Sequence, residues 1–345
     1  MKTKTLVILL IILGVLAGAG TLIMRLKAPD RSQGKLGTHL LEQLPANAIM
    51  SIAIQGHEET VSLMKKTDLW VVTNRFDYPA DFSKIIDMVR KLKEATIGRR
   101  FESSEDTLKR LSLKDPDDSE ASKEAKGIRI LLKDEKELPL ARILLGKTRD
   151  TGAEGGFPEG RYVMLGEDAT IYLIDEQFSL LGKKASAWLD KFLVKVAANE
   201  VKKISFLGSE GEKVLYSFER PEKGKDLEAV NLSFHQKINK SNLNRLSGAL
   251  SSLQMEDVVN PSTPLESVGM GTSTRLEYQL FNGTIYRVYL GKGCSGADLC
   301  YLRLEVDYQK PFGEKVNPAE DESGKRQEAS PEKTPEEYAL EAKQL

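Results

Sequence analysis

The amino-acid sequence predicts an α+β protein, with an N-terminal transmembrane helix followed by two related units of antiparallel sheet packed with helices. Three observations predict it. An uncharged apolar run opens the chain, period-two alternation of apolar residues dominates its middle, and one order of strand and helix patterns is written twice. The expected domains are an anchor and linker over 1–35, a first repeat unit over 36–195, a second over 196–312, and a charged tail over 313–345.

The apolar run from Thr5 to Met24 lies between Lys2/Lys4 and Arg25/Lys27. Twenty helical residues rise about 30 Å, the thickness of a bilayer's hydrocarbon core. The competing reading is a cleaved signal peptide, since Ala17-Gly18-Ala19 has the small-residue form of a cleavage site. The run continues through Thr21-Leu22-Ile23-Met24 beyond that site, which favours a signal anchor inserted through residues 5–24. Basic residues on both flanks leave orientation undecided by charge. The expectation is a single-pass inner-membrane protein with its body in the periplasm or extracytoplasmic space.

The first unit opens with "IMSIAIQGHEETVSLMKKTDLWVV", in which Ile52/Ile54 and Val61/Leu63 alternate about a Gly56 turn, a strand meander. A helix follows, with Phe82, Ile85, Ile86, Val89 and Leu92 at three- and four-residue steps after Pro79 and Asp81. The second unit repeats the plan: Ile204 and Phe206, a turn at Gly208–Gly211, then Val214, Tyr216 and Phe218, then a helix pattern at Leu243, Leu246, Leu250 and Leu253. Paired strands follow each helix, and Leu145-Gly146-Lys147 in the first corresponds to Leu290-Gly291-Lys292 in the second. The polar stretch "SSEDTLKRLSLKDPDDSEASKEA" holds the residues by which the first copy is longer, and Asn282-Gly283 is a hairpin signal.

Gly291, Gly293 and Gly296 have G-x-G-x-x-G spacing. A dinucleotide loop needs a helix after its glycines, to meet the pyrophosphate with N–H groups. Here Cys300, Leu302, Leu304 and Val306 alternate with polar residues, so a strand follows and the glycines belong to a hairpin connection. No cofactor is implied. With 50 basic against 51 acidic residues and no basic stripe, no nucleic-acid partner is implied either.

The two cysteines, Cys294 and Cys300, are six apart across Gly and Ser, a spacing open to a small disulfide loop or to two free thiols. Their spacing with His39, His57 and His235 makes no metal site, and the histidines are placed badly for a nucleophilic triad. "DPDDSE" from Asp115 to Glu120 lacks the glycine and final glutamate of a calcium loop. The tail from Asn317 is rich in Glu, Lys, Pro and Ser with hardly any large apolar residue, so the expectation over 313–345 is a disordered charged tail; a helical turn of its end, "PEEYALEAKQL", on a partner is the less favoured alternative.

Trp70, Pro79 to Asp81, Leu113 with Pro116, Leu144 to Lys147, Tyr162-Val163 and Ile171 to Ile174 carry short motifs that resemble the bacterial domain-of-unknown-function family 4340. The likeness runs from Ile49 to Phe192 and more weakly into the second copy. One departure is "LSLKDP", where the family places a glycine before the leucine. The resemblance implies a single-pass extracytoplasmic α+β protein that accompanies gliding-motility-type ABC transporter components. It brings no catalytic residues with it.

Together these readings predict a non-catalytic accessory protein whose partners are transporter subunits or other envelope proteins. The partner-binding candidate is the Gly-rich loop of Thr151, Gly152, Glu154, Gly155, Gly156, Phe157 and Gly160, with Gly293 to Cys300 as its counterpart. Two alternatives stay open. An envelope polysaccharide hydrolase would draw on carboxylates such as Asp175 and Glu176, and a small-ligand sensor would need an apolar pocket.

Overall fold

Alternating apolar residues pair into ladders wherever both faces of the resulting strand can be satisfied, and here they do so almost throughout. The structure, a computed structural model, describes residues 36–310 except 57–58, 150–159, 182–183, 209–212, 231–236, 272–273 and 294–298. Its described residues fall into two units divided between Asp190 and Lys191, where the sequence reading drew the boundary at 195/196.

The first unit runs β1 (Ser51–Gln55), β2 (Thr60–Lys66), β3 (Leu69–Val72), β4 (Tyr78–Pro79), α1 (Phe82–Glu94), β5 (Ile97–Glu102), α2 (Glu105–Arg110), β6 (Ile128–Lys133), β7 (Pro139–Arg149), β8 (Gly160–Leu165) and β9 (Thr170–Ile174). Its nine strands form one sheet in the order β4-β3-β2-β1-β6-β7-β8-β9-β5. Every pairing is antiparallel, and β1 sits between β2 (Ile52 opposite Leu63) and β6 (Ile54 opposite Ile130). The buried set alternates as the sequence requires: Ile52, Ile54, Val61, Leu63, Ile130 and Leu132 are all almost inaccessible.

Helix α1 starts where Asp81 accepts hydrogen bonds from the Ser83 and Lys84 N–H groups. It buries Ile85, Met88 and Leu92, while Phe82 and Ile86 of the expected apolar face are about half exposed. Ile85, Met88 and Leu92 thus form a narrow buried stripe.

The second unit runs β10 (Phe192–Val194), β11 (Val201–Leu207), β12 (Val214–Glu219), β13 (Glu228–Val230), α3 (Lys240–Ser247), β14 (Leu253–Gln254), β15 (Arg275–Leu280), β16 (Thr284–Leu290) and β17 (Leu302–Tyr308). A six-stranded antiparallel sheet is ordered β13-β12-β11-β15-β16-β17, and β10 pairs separately with β14. This is the order β3-β2-β1-β6-β7-β8 of the first unit, strand for strand. The likeness extends to a turn. The Lys147 N–H donates to the Leu111 carbonyl at 2.8 Å, as that of Lys292 does to Val268 at 2.8 Å. The residue after each acceptor, Ser112 or Gly269, has a left-handed backbone, with φ 54° and 78°.

Two expectations are overturned. Seventeen strands in three sheets, against three short α-helices among the described residues, make the chain mainly β rather than α+β. The helix expected to run through Leu253 stops at Ser247 and gives way to tight turns, the Ala249 N–H donating to the Leu246 carbonyl and the Ser251 N–H to that of Gly248; Leu250 and Leu253 pack from the segment beyond. The other correction concerns the membrane. No helix among the described residues is long and apolar enough to cross one, which counts against a transmembrane helix in the fold and against a single-pass inner-membrane location. The longest, α1, has 13 residues and rises only about 20 Å. The run from Thr5 to Met24 lies outside the described residues.

Candidate functional site

Among the described residues of the second unit, part of the core is left uncovered. Helix α3 is capped by Asn239, whose side chain accepts from the Asn242 N–H at 3.2 Å, and it spans only 8 residues, about 12 Å. Leu243 is its buried anchor, and the hydroxyl of Tyr278, itself 1 % exposed, donates to the Leu246 carbonyl at 3.3 Å. Burial pushes the Tyr278 phenol up to about 12.

The result is a groove of about 650 Å³ between β12, β13 and the start of α3. Its floor is Phe218, Leu243 and Leu246, which belong to the unit's core. Its walls are apolar side chains left in solvent: Val214 51 % exposed, Leu215 44 %, Tyr216 52 %, Val230 37 % and Ile238 39 %. Lys237, Asn239 and Asn242 supply polar groups. Scattered exposed apolar residues are ordinary, but five around one groove continuous with a core make it the candidate site. Among the described residues β13 is the edge strand of its sheet, where a further strand can add.

The sequence reading did not find this groove. Its one local signal was Val214-Leu215-Tyr216, three apolar residues in succession where a half-buried strand should alternate.

The residues singled out from sequence are placed differently. Thr151, Gly152, Glu154, Gly155, Gly156 and Phe157 lie outside the described residues, as do Cys294, His57 and His235. Gly160 begins β8 against the Ile174 carbonyl, so tightly that a Cβ there would come within 2.2 Å of the oxygen. Cys300 is disulfide-bonded, and the chain's one other cysteine is Cys294. β16 and β17 form an antiparallel pair, with Leu290 opposite Leu302, so the glycines after β16 precede a strand. His39 pairs with Thr96 in an isolated bridge, and its ring lies 2.8 Å from the Glu94 carbonyl.

The carboxylates are engaged in holding the first unit together. Asp175 accepts from the Thr96 N–H at 2.7 Å. Asp115 meets Arg129 at 2.7 Å and Arg142 at 2.9 Å, and Asp117 meets Arg129 at 2.6 Å and the Gln55 amide at 2.6 Å. Burial opposes the Asp115 charge, but the Asp117 N–H and the two guanidinium groups outweigh it and keep the carboxyl below its usual range. Arg129 and the Gln55 amide do the same for Asp117. Carboxylates so held pin the loop after Leu113 onto β1, β6 and β7. Among the described residues no group of three His, Cys, Asp or Glu is arranged to hold a metal ion.

Arg161 acts as a second clamp. Its Nε donates to the Gly146 carbonyl at 2.8 Å and its Nη1 to that of Gln177 at 2.7 Å, joining β7 and β8 to the chain beyond β9. Burial pushes its guanidinium below the ordinary arginine value.

No curated protein and no solved structure matches the chain. The family described as domain of unknown function (DUF4340) matches residues 70–270, from Trp70 in β3 to Met270 just past the Gly269 turn. That span is more than half of the chain and includes most of the first unit, α3 and the groove. The chain belongs to the DUF4340 family.

Proposed function

We propose that this chain is a non-catalytic interaction subunit whose second unit receives an apolar segment of a partner protein in the groove between β12, β13 and α3. The partner class is a component of an ABC-type transporter complex, as the family resemblance implies. The observation that carries the reading is the set of half-exposed apolar side chains around a groove open to the core. Such a surface offers apolar burial, and the β13 edge adds backbone hydrogen bonds, the two elements of strand-addition docking.

The test is a crosslinking pull-down of the full chain from its native cells, with wild type beside Tyr216→Asp and Leu215→Asp. Both side chains are about half exposed, so the substitutions leave the core intact. Recovery of transporter subunits by wild type and their loss with either variant supports the reading. Equal recovery by all three chains refutes the groove as the docking site.

A second reading is favoured by the groove's volume, which lies within the range of small-ligand sites. It predicts that a small apolar ligand, such as a fatty acid, protects the Tyr216 region in the purified protein with no partner present.

A further inference from the structure

We infer that the second unit pairs with a second copy of this chain through β17, the two copies of that strand lying antiparallel about a two-fold axis at Leu304. This goes beyond the docking reading and concerns the opposite edge of the same sheet.

β17 is the counterpart of β8, since the order β13-β12-β11-β15-β16-β17 matches β3-β2-β1-β6-β7-β8. In the first unit the sheet does not stop there. β9 pairs with β8, Tyr162 opposite Leu173 and Val163 opposite Tyr172, and β5 follows β9. Val163 and Leu165 on β8 are buried. Among the described residues of the second unit β17 is an edge strand, and its Leu302, Leu304 and Val306 are only partly buried. One position in the shared plan takes a further strand in the first unit and offers an edge for one in the second.

Edges that avoid pairing are commonly shortened, bulged or interrupted by proline. β17 has none of these features: its seven residues run in unbroken register with β16, from Leu302 opposite Leu290 to Tyr308 opposite Thr284. The Tyr301 N–H donates to the Lys292 carbonyl at 3.0 Å and the Gln309 N–H to that of Gly283 at 2.9 Å, so the odd-numbered residues face β16. Backbone groups alternate in direction along an antiparallel strand, which turns those of Leu302, Leu304 and Val306 toward the far edge.

The side chains specify the occupant and the register. Arg303 and Glu305 share one face of β17, where they pair with each other. The Tyr289 hydroxyl donates to Glu305 at 2.9 Å, and the Arg303 guanidinium lies 5.1 Å from the centre of the Tyr289 ring. Pairing two copies about Leu304 sets Arg303 of each opposite Glu305 of the other, and Leu302 opposite Val306. Opposite charges meet twice on one face, while Leu302 and Leu304, which pack against the unit's core, continue the apolar row on the other. A register centred on Arg303 brings two guanidinium groups together. One centred on Glu305 brings two carboxylates together and sets Arg303 against Asp307, which Arg287 already holds at 3.0 Å. The strand is self-complementary about Leu304, as a two-fold interface requires.

The test is sedimentation of the purified full chain over a range of concentrations, for wild type, Arg303→Glu, Glu305→Arg and an equimolar mixture of the two variants. The expected result is a monomer–dimer equilibrium for wild type, weakened at least about tenfold in each variant, where like charges now oppose across the strands. In the mixture the dimer returns, because each strand meets one of opposite charge, and a variant that had failed to fold could not recover in this way. A wild type that stays monomeric overturns the proposal. So does a dimer that neither variant weakens, or a weakened dimer that mixing does not restore. Leu215 and Tyr216 lie on β12, so a partner lost through their substitution leaves the dimer in place, and a monomeric wild type leaves the groove reading untouched.

Discussion

Gly146 on β7 has no room for a methyl group. A Cβ built there would lie 2.3 Å from the Leu111 carbonyl oxygen and 2.9 Å from Cγ and Cδ2 of Leu113. The carbonyl belongs to backbone already bonded to the Lys147 N–H at 2.8 Å, so relief means moving the turn and weakening that bond. Overpacking costs about 1–3 kcal/mol, and a lost hydrogen bond about 0.5–1.5 kcal/mol. Lower entropy of the unfolded chain returns about 0.4–1 kcal/mol. Gly146→Ala should therefore destabilise the first unit by roughly 2–3 kcal/mol, lowering its urea midpoint by about 1 M at a slope near 2 kcal/mol/M.

The assay follows tryptophan fluorescence, because the chain's only two tryptophans, Trp70 and Trp188, are 8 % and 1 % exposed in that unit. Gly98→Ala is the control: its nearest neighbour, the Leu173 carbonyl, would lie at an ordinary 3.6 Å. A midpoint for Gly146→Ala that matches wild type, or an equal loss from Gly98→Ala, would refute the reasoning.

Ser112 has φ 54°, a strained backbone for a residue with a Cβ, and its hydroxyl donates to the Glu124 carbonyl. Ser112→Gly relieves the strain while Ser112→Ala keeps it, so in urea unfolding the glycine variant should be the more stable by about 1–2 kcal/mol. Asp115→Asn should cost about 1–3 kcal/mol at neutral pH, since it breaks pairs with Arg129 and Arg142 whose Asp115 side chain is 30 % exposed. Because that carboxyl is held below 3.8, its contribution is present above that pH and is lost as pH falls below it, so acid titration should flatten in the variant. Tyr278 has the opposite window: a phenol raised from 10.0 to about 12 stabilises fully below pH 10, and that contribution fades as pH rises toward 12. A rise of that size is worth about 2–3 kcal/mol, and circular dichroism of wild type between pH 10 and 12 should show a loss that Tyr278→Phe lacks.

Much of this fold could be read locally. Ile52/Ile54 and Val61/Leu63 face one core because side chains alternate along a strand, and they do so whatever the distant chain does. Asp81 caps α1 through N–H groups two and three residues away, and Gly283, with φ 92°, turns the chain between β15 and β16. The equivalence of Gly146 and Gly291 was visible as a repeated Leu-Gly-Lys, and each glycine closes on a carbonyl at the same structural place, Leu111 or Val268. The candidate loop at Thr151 stands out in the sequence by length and glycine content, signals that say nothing about which surface stays open.

The amino-acid sequence by itself determined the strands, their turns and the order in which they recur, because these depend on side-chain alternation and on neighbours within a few residues. Tertiary structure decided the mainly β class, through helices that stop after two to four turns, and the pairing of β1 with β6 and of β11 with β15 across long stretches of chain. It also decided where the apolar surface remains uncovered. Whether Tyr216 is core or groove depends on what packs above it, and that is set by the reach of α3 and by chain far away in sequence. Burial is a property of the assembled layers, and no window of sequence contains both sides of it.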